Sequence, residues 1–266
     1  MKTKGFSIEA NSYPVETMKW IYSQIEERIE ERNKSVSLVA TTTFAKGLQG
    51  FGSGFFYERD GWPFFITAYH VLEDSIEYIR KNTGAFLITR GRKEFISLSK
   101  LEFFFDRDLD IAVAPLWKMP KEGYAHIKFF KYEDVAILDQ NSRLRPFAFT
   151  GFPASRNKAH TGQEMKPCQR NITMLISNAW PTDDPISPFI YFDFDRKNMW
   201  GSDLSKISMP YPEGMSGGPL FEFTGQIDQL VPKLAGVGIS CLPQTNHLKV
   251  LRFDFIDAWL SSYFQW

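Results

Sequence analysis

The stretch Y-P-E-G-M-S-G-G-P-L-F, residues 211–221, places one serine, Ser216, among three glycines and two prolines. Gly214 can adopt backbone angles that are closed to other residues, so a turn here can point the amides of Gly214 and Ser216 into one hollow. Two such donors form an oxyanion hole, and losing one typically costs about 3 kcal/mol of transition-state stabilisation. Gly217 and Gly218 leave the approach to the serine free of side chains. The pattern indicates a nucleophilic serine, and the alternative is a glycine-rich turn in which the serine is incidental.

Two polar residues beside apolar strands are candidates for the partners that a nucleophilic serine needs. His70 lies at the end of the apolar stretch FFITAYHVLED, where a polar ring is well placed for a cleft. For this residue alone, a hydrogen-bonded structural histidine is the simpler interpretation. Asp110 directly precedes the apolar IAV, and its partly buried carboxylate could orient the base and stabilise its charged form, unless it merely caps a strand. The remaining histidines stand in polar surroundings: His126, His160 and His247.

The composition is that of an ordinary soluble globular protein with no net charge. The chain has 266 residues, 43% of them hydrophobic, with 31 basic residues balancing 31 acidic ones. This balance gives no electrostatic footprint for nucleic acid or an anionic membrane, and no apolar run is long enough to span a bilayer. The first residues lack the apolar core of a signal peptide, and Cys168 and Cys241 form no metal-ligand pair. We therefore expect a cytoplasmic protein with no metal, no organic cofactor, no nucleic acid partner and no membrane association.

The apolar pattern predicts an all-β body between two helices. Residues 15–33 and 253–264 repeat apolar side chains at helical spacing. Two sets of six short runs predict strands: 35–44, 53–58, 63–68, 85–90, 94–99 and 110–116, then 145–151, 171–177, 189–194, 218–223, 234–240 and 247–253. We predict two six-stranded antiparallel β-barrels with an N-terminal and a C-terminal helix. The predicted units are a helical extension (1–35), an N-terminal barrel (36–120), a linker (121–143) and a C-terminal barrel with the terminal helix (144–266).

Three segments in this order, TAYH, DIAV and GMSGGP, resemble the motifs of the chymotrypsin-like (trypsin-fold) serine proteases. The segment GSGFF at residues 52–56 resembles the opening of the bacterial HtrA-like branch, although nothing resembling a PDZ domain follows. The resemblance covers roughly residues 36–265. It implies the same double barrel that the strand count predicts, with the active site in the cleft between the barrels.

The resemblance also implies a role for each motif residue. His70 would be the general base, Asp110 its orienting partner and Ser216 the nucleophile of a serine endopeptidase. The amides of Gly214 and Ser216 would form the oxyanion hole. Met215 stands where secreted digestive relatives carry an aspartate that pairs with a new N-terminus, so that activation route looks absent. The implied partners are protein or peptide substrates.

Three further residues resemble positions that contact substrate in this family. Pro210 occupies the place where trypsin-type enzymes have an aspartate for Lys or Arg. Ser240, in GVGISCL, resembles the strand that pairs with the substrate backbone. Leu242, with the nearby Cys241, then suggests an apolar or small primary pocket.

Two alternatives concern the same residues. A protease fold could serve as a catalytically silent binding or scaffold module, although an intact triad argues against this. GMSGG also fits the G-x-S-x-G motif of α/β-hydrolase esterases, but that fold needs its acid and histidine after the serine, where only His247 follows. An always-active cytoplasmic protease would threaten its host. We therefore expect narrow specificity or regulation by a protein partner through the N-terminal helix, for example in a stress or defence module.

Overall fold

The computed structural model describes most of the chain: residues 15–43, 47–80, 84–89, 95–138, 145–154, 172–176, 179–181, 187–193, 199–200, 206–207, 212–226, 229–242 and 247–264. The α-helices among them are α1 (Val15–Arg32), α2 (Tyr69–Arg80) and α3 (Phe253–Tyr263). Short 3₁₀ helices occur at Asn33–Ser35, Leu98–Lys100, Leu116–Lys118, Lys121–Gly123 and Tyr132–Asp134. Every helix in these ranges is too short or too polar to reach across a lipid bilayer.

The first sheet contains eight strands within the described residues. They are β1 (Val36–Thr43), β2 (Gly47–Arg59), β3 (Trp62–Ala68), β4 (Ala85–Thr89), β5 (Phe95–Ser97), β6 (Phe104–Asp106), β7 (Ile111–Pro115) and β8 (Phe130–Lys131). Antiparallel neighbours follow the order β5-β4-β1-β2-β3-β7-β6, and β8 pairs in parallel with β2. The register between β1 and β2 shifts at Val39 and Ala40, and such a bulge increases the local twist that curls a sheet.

The second sheet contains seven strands within the described residues, and a two-stranded ribbon accompanies it. In chain order the strands are β9 (Phe147–Gly151), β10 (Ile172–Ile176), β11 (Ala179–Pro181), β12 (Phe189–Asp193), the ribbon strands β13 (Met199–Trp200) and β14 (Lys206–Ile207), β15 (Pro219–Thr224), β16 (Val231–Leu242) and β17 (His247–Arg252). The sheet is antiparallel throughout, in the order β10-β9-β15-β16-β17-β12-β11.

The predicted fold class is confirmed, because two antiparallel sheets between terminal helices are consistent with a chymotrypsin-like double barrel. Each sheet has more than the six strands that were predicted, because the short strands β6, β8 and β11 were not predicted. Helix α2 was not predicted, because it follows β3 directly, without the turn residues that normally separate elements. Leu72 and Ile76 carry its helical spacing inside a stretch that is apolar throughout. Two antiparallel sheets also exclude the α/β-hydrolase alternative. The domain boundaries stay a prediction.

Phenylalanine rings join the two sheets into one core. The ring centroid of Phe130 lies 5.7 Å from that of Phe55 in β2 and 5.4 Å from that of Phe221 in β15. Phe55 also lies 6.2 Å from Phe253, the first residue of α3. Buried aromatic contacts at these distances stabilise beyond their area alone, so the sheets and α3 are fixed relative to one another.

Helix α1 is part of this shared core. Ile21, Ile25 and Ile29 line one side of the helix, and each is at most 1% exposed. Directly after the helix, the Asn33 Oδ1 atom accepts a hydrogen bond from Thr150 Oγ1 of β9 at 2.9 Å. The predicted helical extension is therefore packed against the body and bonded to the second sheet.

A largely buried ion pair fastens α3 to the first sheet. The side chains of Arg59 and Asp257 pair through Nη1 and Oδ1 and are only 17% and 16% exposed. Tyr57 donates its hydroxyl to the same carboxylate at 3.2 Å, and Arg59 donates to Ser261 Oγ at 2.7 Å. Burial raises the pKa of Asp257, although Arg59 opposes this rise. Burying the Asp257 carboxylate therefore costs free energy, and the charge of Arg59 offsets that cost.

Replacing Arg59 with Met should destabilise the protein by about 3 kcal/mol, because Asp257 would become an unpaired buried charge. Without the arginine, the folded-state pKa of Asp257 rises further above its value in the unfolded chain. A protonated carboxyl then relieves part of the loss, so the loss should be smaller near about pH 5 than near about pH 8. Urea unfolding at both pH values measures the effect.

Lys19→Met is the matched control, because it removes an exposed pair with Glu16 on α1. That pair should contribute under about 1 kcal/mol. If Arg59→Met and Lys19→Met lowered the free energy of unfolding equally, the buried ion pair would not be what holds α3 to the first sheet.

Candidate active site

A histidine and an aspartate meet at one end of the first sheet. His70 lies in the first turn of α2, two residues after β3, and Asp110 immediately precedes β7. Because Ala68 and Ile111 are paired across β3 and β7, the residues beyond them come together. The Nδ1 atom of His70 lies 2.8 Å from Asp110 Oδ2, and the His70 amide donates to Asp110 Oδ1 at 2.9 Å. Both carboxylate oxygens therefore bind the same histidine.

The contact with Asp110 decides where the proton sits on the neutral His70 ring. A carboxylate only accepts hydrogen bonds, so Nδ1 carries the proton and Nε2 keeps its lone pair. The His70 side chain is 41% exposed and that of Asp110 is 24% exposed. Nε2 is therefore left to accept a proton from a neighbouring group.

The turn before β7 holds Asp110 in a left-handed backbone conformation, with φ at +54°. Asp106 Oδ1 accepts hydrogen bonds from the amides of Asp108 and Leu109 at 2.9 and 3.0 Å. The Asp110 carbonyl accepts one from the Tyr69 amide at 3.0 Å. These bonds offset a conformation that costs an L-residue about 1 kcal/mol. Asp106 thus stabilises the turn, a role that its sequence context does not reveal.

Ser216 lies in the segment before β15, residues 212–218, which we term the serine loop. At Gly217, with φ at +85°, the loop lies against the end of β3. A Cβ at this position would lie 2.1 Å from the Ser53 carbonyl oxygen and 3.0 Å from the Ala68 nitrogen. Because Ala68 is two residues before His70, the loop brings Ser216 to the same end of β3 as that histidine. Within the described residues, no hydrogen bond joins the Ser216 hydroxyl to the His70 ring.

The serine loop is bonded to the second sheet as well. The Gly217 amide donates to the Gly238 carbonyl of β16 at 2.7 Å, and the Gly238 amide donates to the Gly218 carbonyl at 2.9 Å. Gly218 has no room for a side chain, since a Cβ would lie 2.1 Å from the Thr150 carbonyl of β9. The loop is therefore held between both sheets through backbone contacts.

Four successive carbonyls of the serine loop accept hydrogen bonds. The pairs are Ala154 N to Glu213 O (2.7 Å), Ser53 Oγ to Gly214 O (2.8 Å), Gly218 N to Met215 O (2.9 Å) and Ser53 N to Ser216 O (2.8 Å). In a trans peptide the carbonyl and the following amide point in opposite directions, so a bonded carbonyl also aims the next N–H. In the part of the chain that the structure describes, the amides of Gly214 and Ser216 have no acceptor. Their role as oxyanion donors stays a prediction.

The structure describes part of the predicted substrate-binding set. Ser240 is half-buried in β16, two residues after Gly238, which contacts the serine loop. The Cys241 thiol beside it is partly buried, and burial raises its pKa. Leu242 is the last residue of β16, and Pro210 lies outside the described residues. The substrate-binding roles of Pro210, Ser240 and Leu242 stay predictions.

Comparison with known proteins agrees with the fold. The profile of the trypsin-like peptidase domain matches residues 52–227. The chain is similar to the MamO protease domain from Magnetospirillum magneticum, with 14% identity, a TM-score of 0.50, and coverage of 86% of this chain and 96% of that chain. It is also similar to the serine protease domain of the Sesbania mosaic virus polyprotein, with 14% identity, a TM-score of 0.48, and coverage of 84% and 91%. No curated protein sequence matches.

Alanine at Gly217 should destabilise the protein more than alanine at Gly61. The two glycines have φ values of +85° and +82°, so both variants carry the same backbone strain of about 1–2 kcal/mol. Gly61 has open space around it, whereas a Cβ on Gly217 overlaps the Ser53 carbonyl. We expect that overlap to add about 1–3 kcal/mol. Urea unfolding measures the difference, and equal losses would disprove the close approach.

Proposed function

The chain belongs to the family of trypsin-like peptidase domains, and on this premise we propose that it is a serine endopeptidase. The proposed reaction is hydrolysis of a peptide bond in a protein or peptide substrate, through an acyl-enzyme on Ser216. The observation that carries the proposal is the meeting of the His70–Asp110 pair and the serine loop at one end of β3. A catalytic hydrogen bond from the serine to the histidine often tightens only when substrate is bound.

In the acylation half-reaction, Ser216 Oγ attacks the scissile carbonyl carbon while His70 Nε2 takes the hydroxyl proton. The carbonyl π electrons move onto oxygen and form a tetrahedral oxyanion. When that intermediate collapses, the C–N bond breaks and the leaving amine takes the proton from His70. Asp110, bonded to Nδ1 at 2.8 Å, keeps the ring in the required tautomer and stabilises its cationic form.

In the deacylation half-reaction, water replaces the amine. His70 Nε2 removes a proton from the water as its oxygen attacks the ester carbon. A second tetrahedral oxyanion then collapses, the bond to Ser216 Oγ breaks, and His70 returns the proton to that oxygen. The products are a carboxylic acid and the regenerated Ser216 hydroxyl, so the two half-reactions together consume only the substrate and one water molecule.

The amides of Gly214 and Ser216 would bind both oxyanions. Support comes from the four bonded carbonyls of the serine loop, which aim these two donors before any substrate arrives. Preformed donors cost no reorganisation during the reaction, which is why such sites contribute so much to catalysis. The same arrangement argues against an oxyanion turn misaligned in the resting state.

A catalytically silent binding module is the second candidate function. The observation that favours it is the missing hydrogen bond between the Ser216 hydroxyl and the His70 ring among the described residues. Against it stands the carboxylate of Asp110, since binding alone gives no reason for one carboxylate to bond both the backbone amide and the ring of the same histidine. A reagent that reacts only with activated serines separates the two candidates.

A fluorophosphonate probe should label wild-type protein on Ser216, with the serine oxygen bonding to phosphorus as fluoride leaves. Ser216→Ala should abolish labelling, and Ser99→Ala, at an exposed serine, should not change it. Asp110→Asn should slow labelling about 10⁴-fold, because an amide in place of the carboxylate favours the wrong tautomer of His70. Gel fluorescence over time measures the rates.

Two outcomes would reject this assignment. No labelling of the wild type, under conditions that label a control protease, would favour the silent module. Labelling that persists in Ser216→Ala would place the reactive group elsewhere. If labelling behaves as expected, comparing protein N-termini from cells that carry wild type or Ser216→Ala identifies the cleaved bond and thus the substrate preference.

The proposal includes regulation by a protein partner that binds α1. Asn33, just after the helix, accepts a hydrogen bond from Thr150 Oγ1, and the Thr150 carbonyl lies against Gly218 of the serine loop. A small movement of the helix would therefore be transmitted through two buried residues to the segment that carries Ser216. The outer face of α1 exposes Glu26 and Glu27, which offer an acidic surface to a basic partner.

Charge reversal on this face should uncouple regulation from chemistry. In Glu26→Lys/Glu27→Lys we expect a wild-type rate of fluorophosphonate labelling in the purified protein, but loss of substrate cleavage in cells. Glu122→Lys, at an exposed residue of the 3₁₀ helix Lys121–Gly123, serves as the control and should cleave normally. Unchanged cleavage by the double variant would contradict the role of α1. Efficient digestion of unrelated unfolded proteins by the isolated enzyme would contradict narrow specificity.

A further inference from the structure

Ser53 is a buried residue of β2 that bonds to the serine loop through both its backbone and its side chain. It is 0% exposed, and its amide donates to the Ser216 carbonyl at 2.8 Å. Its hydroxyl donates to the Gly214 carbonyl at 2.8 Å and accepts from the Phe152 amide at 2.9 Å. Its own carbonyl accepts from Thr67 Oγ1 at 2.7 Å. Every polar group of Ser53 is therefore hydrogen-bonded, and three of the four bonds lead to the serine loop or to the residue after β9.

We propose that the Ser53 hydroxyl is a positioning group for the oxyanion hole, an inference that rests on the proposed peptidase function. Gly214 stands at φ +86° and has no side chain to lock its backbone. Its orientation is set by hydrogen bonds to the carbonyls on either side of its Cα, from Ala154 N and Ser53 Oγ. The second bond fixes the peptide that follows Gly214. Without it, the glycine keeps only one of the two restraints on its backbone torsions, and its amide can turn away from the direction that the oxyanion requires.

The position requires a hydroxyl because it must donate and accept at once. The acceptor role holds Phe152, directly after β9, and the donor role holds Gly214 in the serine loop, so one oxygen joins these two segments. The space is narrow, since a Cβ on Gly151 would lie 3.0 Å from Ser53 Oγ. The Phe152 segment continues to Ala154, whose amide holds the carbonyl before Gly214. Ser53 thus supports both carbonyls that fix Gly214, one directly and one through this segment.

Ser53 acts through its neighbours and takes no part in the bond changes. Its complete burial keeps it from touching substrate, in contrast to the partly exposed Ser216. Removing its hydroxyl should therefore slow the chemical step while leaving the recognition of a ligand intact. This separation distinguishes a positioning residue from a substrate-binding one.

The test uses the purified full chain and a fluorophosphonate probe at a series of concentrations. The fit separates the reversible affinity for the probe (KI) from the maximal labelling rate (kinact). In Ser53→Ala we expect kinact to fall about 10- to 100-fold with KI unchanged, because a small displacement of an oxyanion donor costs this much. Ser53→Cys keeps nearly the same volume but offers only a weak donor, so it should also lower kinact.

Thr41→Val is the matched control. Thr41 is a buried residue of the same sheet, and its hydroxyl donates to the Gly84 carbonyl at 2.8 Å, so this variant removes an equivalent bond outside the serine loop. It should lower the unfolding temperature without lowering kinact. If Ser53→Ala does not fold, Ser53→Cys carries the comparison.

The outcomes separate this inference from the proposed function. Absence of labelling in the wild type rejects the peptidase proposal itself. A labelled wild type together with a wild-type kinact in Ser53→Ala, or in Ser53→Cys if the alanine variant is unfolded, overturns the positioning role. Equal decreases of kinact in the Ser53 variant and Thr41→Val also overturn it, because the effect would then be a general loss of stability.

Discussion

The approach of the serine loop to β3 at Gly217 is the contact on which the site depends. His70 follows β3 and Asp110 precedes β7 of the first sheet, whereas Ser216 precedes β15 of the second. The three residues of the proposed triad therefore lie near one another only if the sheets approach closely. Side chains normally hold packed layers apart. At Gly217 a Cβ would lie 2.1 Å from the Ser53 carbonyl oxygen, so only a bare backbone permits this distance.

Glycine permits the approach but supplies no rigidity, which the hydrogen bonds of the loop provide instead. A single such bond stabilises a protein by about 1 kcal/mol, yet the bonds to four successive carbonyls restrain the same few torsions together. The amides of Gly214 and Ser216 do not gain this stabilisation, because they lack acceptors within the described residues. In the proposed mechanism these two amides gain acceptors only when an oxyanion forms, and the bonded carbonyls of the loop hold them in place until then.

Local patterns account for what could be predicted from the sequence. The periods of strands and helices can be recognised in short stretches of sequence. His70, Asp110 and Ser216 each lie in a predicted strand or within two residues of one, so the motifs and the periodicity indicate the same site. Helix α2 was not predicted because its first turn continues the apolar stretch of β3, with no turn residues between them. Ser53 was noted only within a family motif, because its hydroxyl bonds to Phe152 and Gly214, 99 and 161 residues away. Contacts between residues so far apart depend on the folded topology, so they cannot be recognised in a short stretch of sequence.

The burial of α1 limits how a partner could act on the serine loop. Undocking the helix would expose Ile21, Ile25 and Ile29, each at most 1% exposed, at a cost of roughly 2 kcal/mol per side chain. The sum approaches the whole stability of a typical domain, about 5–15 kcal/mol. A partner that removed α1 would therefore risk unfolding the protein. Regulation through this helix would require instead a small shift within the docked state. The hydrogen bond between Asn33 and Thr150 can carry such a shift, because it joins the end of the helix to the strand whose Thr150 carbonyl lies against Gly218.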